Sequence, residues 1–220
     1  MKLFFGIITD GKDKALLEKV VEAIKRASKQ APAHEVDIAI CGYTDNLDLS
    51  AHSLISAPDL ARDGRLGAMR NLLIDNRGDA DLAILLDDDI IIDENFIQGF
   101  DKFGYEAWDE AWDVASCIIH NPDGTRFWDW KVHRNGLNWL IPYDKTDRDI
   151  SITGGLIVAK SNIFKTVCWN PSLGFYEQED VEFSNLLRRQ DYKIVFNPHS
   201  SATHMGPYTQ IDDGVFRTDL

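Results

Sequence analysis

Apolar runs of strand length, alternating with helical periodicity, constrain this 220-residue chain more than any other feature. "KLFFGIIT" (residues 2–9) is rich in Phe and Ile and ends in Asp-Gly, the pattern of a buried strand and a turn. Leu17, Val20, Val21 and Ile24 then recur at i, i+3, i+4 and i+7, one face of a helix. "EVDIAI" (35–40) reads as a second strand and "HSLIS" (52–56) as a short third. Over 63–77, Leu66, Met69, Leu72 and Leu73 share a helical face, with Asp63 placed to cap it. "DLAILL" (81–86) is another buried strand. Strand and helix in turn, at ~30-residue steps, predict an α/β fold: a parallel sheet with helices on its faces.

The alternation loosens after residue 93. Residues 94–112 read as helical or irregular, "DVASCII" (113–119) as a strand, and 121–150 as rich in Trp, Asp, Asn, Pro and Gly without a clear period. "GLIVA" (155–159) predicts a buried strand, 161–168 a short helix, 178–190 a longer one and "YKIVFN" (192–197) a last strand. No repeat, low-complexity segment or linker divides them. The reading is a single domain over 1–220, with a Rossmann-like half (1–92), a mixed half (93–220) and a mixed, mainly parallel sheet.

Asp and Glu outnumber Lys and Arg 36 to 23, a net charge of −13, which disfavours general binding to DNA or anionic lipid. Lys19, Lys25, Arg26 and Lys29 on the first helix read as a solvated face. Cys41, Cys117 and Cys168 form no CxxC pair, which argues against a disulfide framework or a cysteine metal site and fits a reducing cytosol. Apolar runs fall far short of the ~20 residues that span a bilayer, and no signal pattern is seen, so a cytoplasmic protein without an integral membrane segment is expected.

"AILLDDDIII" (83–92) sets Asp87, Asp88 and Asp89 at the carboxyl end of a predicted strand, with Thr9 and Asp10 at the end of the first. Ligands of open parallel sheets bind beyond such ends. Neighbouring carboxylates resist joint ionisation, so the cluster needs a positive partner or water. Downstream, Glu177, Glu179, Asp180 and Glu182 crowd a helix start. The macrodipole rewards such acids by ~0.3–1 kcal/mol each, which accounts for one or two of them, not four. His204 follows the last predicted strand, and its spacing alone does not indicate a metal.

Four stretches, in order, carry a resemblance: "FFGIITDG", "RLGAMRNLLIDNRGDADLAILLDDDI", "TGGLIVAKSNIF" and "FYEQEDVEFSNLLRRQDYKIVFNPHSSATH". Together the chain resembles a GT-A-fold nucleotide-sugar glycosyltransferase, most similar to the family 2 type, through a DxD motif, an ED helix and a terminal metal-binding His. The resemblance implies Asp87, Asp89 and His204 as metal ligands. It implies Thr9, Asp10, Arg70, Asp87, Asp88, Gly154 and Gly155 as donor-binding residues, the glycines letting the backbone approach the sugar. It makes Glu179 and Asp180 the catalytic pair, with Asp180 the general base. The cofactor implied is a divalent cation, Mn²⁺ before Mg²⁺, and the donor a nucleoside-diphosphate sugar, a UDP-sugar first. The acceptor and the oligomeric state stay open. Where the family usually reads VDDGS, this chain has "ICGYTD" (40–45), leaving Thr44 or Asp45 to meet the base in place of Cys41 and Gly42.

A hard cation held by carboxylates would stabilise the charge of the leaving diphosphate, and an oxygen-rich set with one imidazole suits Mn²⁺. A carboxylate that takes the proton of the acceptor hydroxyl typically contributes ~10²–10⁴-fold. Acidic neighbours are expected to raise the Asp180 pKa, and in-line attack implies inversion. Trp128, Trp130, Trp139 and Trp169 fall on the acceptor side, as sugar platforms or as core. The rival readings are a retaining transferase, a nucleotidyltransferase, for which "TDGKDK" is poor in glycine, and a metal- or carbohydrate-binding module.

Overall fold

The computed structural model describes residues 1–45, 47, 52–107, 112–175 and 177–206. Residues 108–111 of the segment read as helical or irregular lie outside the described residues, as does Tyr176 of the Gly-Phe-Tyr turn before the acidic helix.

β1 (Lys2–Thr9) pairs in parallel with β2 (Glu35–Gly42), and β2 with β3 (Ser53–Ser56). On its other edge β1 pairs in parallel with β4 (Leu82–Asp87). Leu3, Phe5 and Ile7 pack under α1 (Lys14–Gln30), while Phe4 and Ile8 join the core built on α3 (Leu66–Asp75). Covered on both faces, the strand reads as an unbroken apolar run. Asp13 caps α1, its Oδ1 accepting from the Leu16 amide at 2.9 Å. Between β3 and α3 lies α2 (Pro58–Arg62), which starts on a proline and is too short to show a period in the sequence. Asp63 therefore closes α2 instead of capping α3; Gly64 at φ 64° separates the two, and α3 begins after Arg65 with no side-chain cap.

Beyond the aspartates come β5 (Ile90–Ile92), α4 (Phe96–Ala107) and β6 (Val114–His120). The stretch without periodicity holds three short strands, β7 (Lys131–Arg134), β8 (Leu137–Leu140) and β9 (Ile150–Ser151), which make a separate sheet in the order β8-β7-β9. β7 and β8 form a hairpin across Asn135 and Gly136, both at positive φ (54° and 78°). Asn-Gly is the strongest short-range hairpin signal, and it was present in the sequence. β10 (Leu156–Lys160) follows, then a 3₁₀ helix (Ser161–Lys165), α5 (Glu179–Arg189) and β11 (Ile194–His204).

The main sheet has eight strands in the order β3-β2-β1-β4-β10-β6-β11-β5. β10 runs antiparallel between β4 and β6, and β5 runs antiparallel to β11; the other pairs are parallel. The last strand is longer than its sequence suggested. A register shift between Asn197 and Ser201 takes up Pro198, after which β11 continues to His204. His204 is thus the end of a strand, not a residue beyond it. Trp130 is buried with Val132 and Ile150, and buried Trp169 stacks on Phe183 at 3.8 Å between centroids. Both are core residues, not exposed platforms. Among the described residues no helix is long and apolar enough to cross a membrane.

Candidate active site

Asp87 is the last residue of β4, and Asp88 and Asp89 form the turn into β5. The three carboxylates turn to three different partners. Asp87 Oδ1 accepts from Arg70 Nη2 at 2.9 Å, Asp88 Oδ2 from Thr9 Oγ1 at 2.5 Å, and Asp89 Oδ2 lies 3.3 Å from His204 Nε2. Burial pushes the Asp87 carboxyl up to about 6, with Arg70 pulling it down and Asp89 adding to the rise. Burial likewise pushes Asp88 up to about 7, against the Thr9 hydrogen bond and with Asp87, Asp89 and Asp10 adding to the rise. The protein thus compensates the cluster only in part.

Arg70, on α3, is 1% exposed. Its Nη1 donates to Glu179 Oε1 and its Nη2 to Asp87 Oδ1 and to the Gly154 carbonyl, each at 2.9 Å. One guanidinium therefore ties α3, β4, α5 and the segment before β10. A Cβ on Gly154 would come within 2.9 Å of Glu179 Oε1 and 3.0 Å of Arg70 Nη2, so this network itself requires glycine there. Gly155 accepts from the Asp87 amide at 3.1 Å and a Cβ would find ordinary room, with nothing closer than 3.4 Å.

The register that pairs Ile90 with His204 brings Asp89 beside the imidazole, and the Met205 amide donates to the Asp89 carbonyl at 2.7 Å. His204 stacks on Phe127 at 4.0 Å. Asp89 Oδ1 and His204 Nδ1 are buried without a hydrogen-bond partner. A Cβ on Gly206 would lie 2.3 Å from Asp89 Oδ2 and 2.9 Å from His204 Nε2, so its absence keeps these two donors open to one another. Orphaned carboxylate oxygen, imidazole and a backbone without a side chain fit a hard or borderline divalent cation. Among the described residues no group of three or more His, Cys, Asp or Glu is gathered as a ready metal cluster. Asp87 commits one of its oxygens, Oδ1, to Arg70.

A cavity of about 550 Å³ opens here, lined among others by Asp87, Gly154, Gly155 and His204 and by Trp128, Lys131, Glu179 and Asp180. Thr9, Asp10, Asp88 and Asp89 do not line it. Asp10 is paired with Lys12 at 2.6 Å, Thr44 is buried and Asp45 exposed. At the start of α5 successive side chains diverge by about 100°, so Glu179 faces Arg70 while Asp180 faces Lys131, whose Nζ donates to Asp180 Oδ2 at 2.8 Å. Burial pushes the Asp180 carboxyl up, but the Lys131 ammonium, together with the Val181 amide and the Arg70 charge, holds the group below the usual carboxylate range. The expected rise through acidic neighbours is not found, because the nearest charge is a cation. The sequence pattern does not single out Lys131; the Asn135-Gly136 turn marks its strand, but nothing local marks its partner.

No family model and no curated protein matches the sequence. Solved structures do. GalNAc-T7 with UDP, GalNAc and Mn²⁺ matches with a TM-score of 0.68 at 15% identity, over 94% of this chain and 44% of that one. S. aureus TarS 1–349 matches with a TM-score of 0.60 at 12% identity, over 92% of this chain and 60% of that one. The catalytic domain of Drosophila β1,4-galactosyltransferase 7, in complex with xylobiose, matches at 0.57 and 13% identity, over 94% and 71%. The chain thus spans under half of the first and three-fifths of the second. At such identities the likeness is one of fold, and the fold of this chain is the GT-A fold of glycosyltransferases.

Proposed function

We propose that this protein is a metal-dependent, inverting glycosyltransferase that moves a sugar from a nucleoside-diphosphate sugar, UDP-sugars first, to an acceptor hydroxyl. The observation that carries this reading is the single cavity that joins Asp87, Gly154, Gly155 and His204 to Glu179 and Asp180. Residues 1–92 supply most of the donor side through Thr9, Asp10, Arg70, Asp87 and Asp88; residues 93–220 add Gly154, Gly155 and His204 to it and supply the acceptor side and the base.

Asp89 and His204, with Asp87, are the ligands of the divalent cation in this reading, Mn²⁺ before Mg²⁺. When bound, the cation offsets the negative charge that develops on the leaving diphosphate. Arg70 balances Asp87 and Glu179 and so fixes the end of β4 against the start of α5. Gly155 presents backbone to the donor along the cavity wall. Asp180 receives the proton of the acceptor hydroxyl as its oxygen attacks the anomeric carbon. Phe127, Trp128 and Phe175 offer aromatic surface to the sugars, and Asn138 and Gln178 offer amide groups. The free thiols of Cys41 and Cys117, both buried, accord with a cytoplasmic setting.

Thermal unfolding across a panel of nucleoside diphosphates, with Mn²⁺, with Mg²⁺ and with chelator, tests the donor half of this reading. A ligand at 100 times its dissociation constant adds about 2.7 kcal/mol. One nucleotide is expected to stabilise the protein, and only with metal. Stabilisation by metal with no further gain from any nucleotide would replace the transferase with a binding module. The catalytic half rests on Asp180→Asn, expected to retain nucleotide binding and lose transfer at least ~10²-fold. Proton NMR of the product's anomeric signal reads inversion directly.

A further inference from the structure

Two features of Lys131 stand outside the donor chemistry. Its side chain is 5% exposed, yet it ends on a carboxylate of α5 that lines the cavity beside it, Asp180, itself 14% exposed. The two residues lie 49 apart in sequence, on β7 of the small sheet and on α5, so the fold has to assemble the pair. Asp180 is held at both oxygens. Its Oδ2 accepts from Lys131 and its Oδ1 from the Val181 amide, each at 2.8 Å. A carboxylate offers about four lone-pair sites, so two bonds fix its rotamer and leave capacity for an acceptor hydroxyl.

We propose that Lys131 is a positioning residue: it holds Asp180 ionised and aimed into the cavity, and so sets the acid limit of the transfer reaction. This rests on the glycosyltransferase reading above. In the step concerned the acceptor O–H bond breaks, its proton passes to Asp180, the freed electron pair forms the bond to the anomeric carbon, and the diphosphate leaves with the pair of the old bond. The lysine keeps its proton throughout. Its charge opposes protonation of Asp180 from solvent, so the base stays ready at acidic pH. An ammonium beside a newly formed carboxylic acid also favours passing that proton on.

The other charges around Asp180 are these. Glu179 on the same helix is bound by Arg70 of α3, whose charge acts on Asp180 in the same direction as that of Lys131. Glu182 lies one half-turn further on α5 with its Oε2 buried without a hydrogen-bond partner, an acid whose charge opposes that of Lys131; Asp87 of β4 is held by Arg70, and His204 of β11 faces Asp89. His133, two residues along β7, is engaged with Asn138 at 3.0 Å. Lys131 is the closest cation to the base.

The sign follows from the folded value. A carboxyl held below its ordinary range is ionised at neutral pH, and activity falls only as pH drops through that lowered value. Removing an adjacent cation returns ~1–3 units to a carboxylate. The pH profile of kcat/KM is therefore measured for the wild type, Lys131→Met and Lys131→Arg, each first shown to be folded by its thermal transition. The acid limb of Lys131→Met is expected to move up by ~1–3 units, with the largest loss of rate on the acid side of the profile, while Lys131→Arg restores the low limb. In parallel, Asp180 is titrated by carbon NMR of carboxyl-labelled wild-type protein, its signal assigned by its absence in Asp180→Asn. An Asp180 that titrates at or above the ordinary aspartate value overturns the proposal even if Lys131→Met does not fold. If no donor supports transfer, the glycosyltransferase reading falls while the titration still reads the pair. If transfer is seen and the acid limb of folded Lys131→Met coincides with the wild type, the role of Lys131 falls alone.

Discussion

A guanidinium with 1% of its surface exposed has to find its counter-charges inside the protein, and Arg70 finds two carboxylates and a carbonyl. Two of its three nitrogens are thereby used, while Nε is buried without a partner. The fork geometry decides which substitution fails. Lysine at 70 would offer one point charge where Glu179 and Asp87 are each met by a separate nitrogen, so Arg70→Lys is not a conservative change. Arg70→Met leaves two carboxylates facing a cavity without compensation. Breaking a buried ion pair at one partner costs roughly 3–5 kcal/mol, and the loss is expected in the denaturant midpoint at neutral pH. A midpoint within ~0.5 kcal/mol of the wild type would mean that water, not Arg70, balances the two acids. The same residue answers how three adjacent aspartates are tolerated at the edge of a core. Arg70, Thr9 and His204 draw them apart, one partner each.

At the scale of elements, two glycines separate steric from conformational cost. Gly99, within α4, faces β11 so closely that a Cβ would lie 2.1 Å from the His199 carbonyl oxygen and 2.6 Å from its carbon. Backbone cannot yield as a side chain does, so Gly99→Ala has to lift α4 from the sheet, at about 1–3 kcal/mol or more. Gly136 has nothing within 4 Å but sits at φ 78°, so Gly136→Ala is expected to cost about 1–2 kcal/mol through backbone strain alone. Thermal melts of the two variants rank these costs; equal losses would show that the α4 packing gives way freely. The hairpin also shows where the sequence was and was not legible. β1, α1, β2, α3 and β4 could be read because each declares itself by its own period, whereas the sheet order β2-β1-β4 is visible only in the fold. β7 and β8 are four residues each, with mixed burial that produces no alternation to read, and only Asn135-Gly136 betrays them. The far half of β11 is not legible because a proline normally ends a strand, and only a register shift lets Pro198 pass. In the candidate site, Asp87, Arg70, Gly154, Glu179, Asp180 and His204 are nominated by motifs, and the fold brings them to one region. Lys131 is not nominated, since its partner lies 49 residues away and no local pattern encodes such a pairing.

Taken whole, the molecule carries a net charge of −13, and both ligands of the proposed reaction must approach through that field. They carry opposite charges, so the field separates them. A divalent cation is drawn in, and salt weakens that attraction. An anionic nucleoside diphosphate is repelled at long range, and salt relieves the repulsion. The Debye length falls from ~30 Å at 0.01 M to ~10 Å at 0.1 M salt, which spans the dimensions of a domain of this size. Arg70 does little to reverse the effect, because its charge is spent on Asp87 and Glu179, and Lys131 is spent on Asp180. Calorimetric titrations at the two salt concentrations should therefore give slopes of opposite sign. The Mn²⁺ dissociation constant is expected to rise about two-fold or more with salt, and that of UDP at saturating Mn²⁺ to fall. Were UDP binding to weaken with salt alongside the metal, the diphosphate would be held by direct contacts to local cations, and the acidic surface would play no part in donor capture.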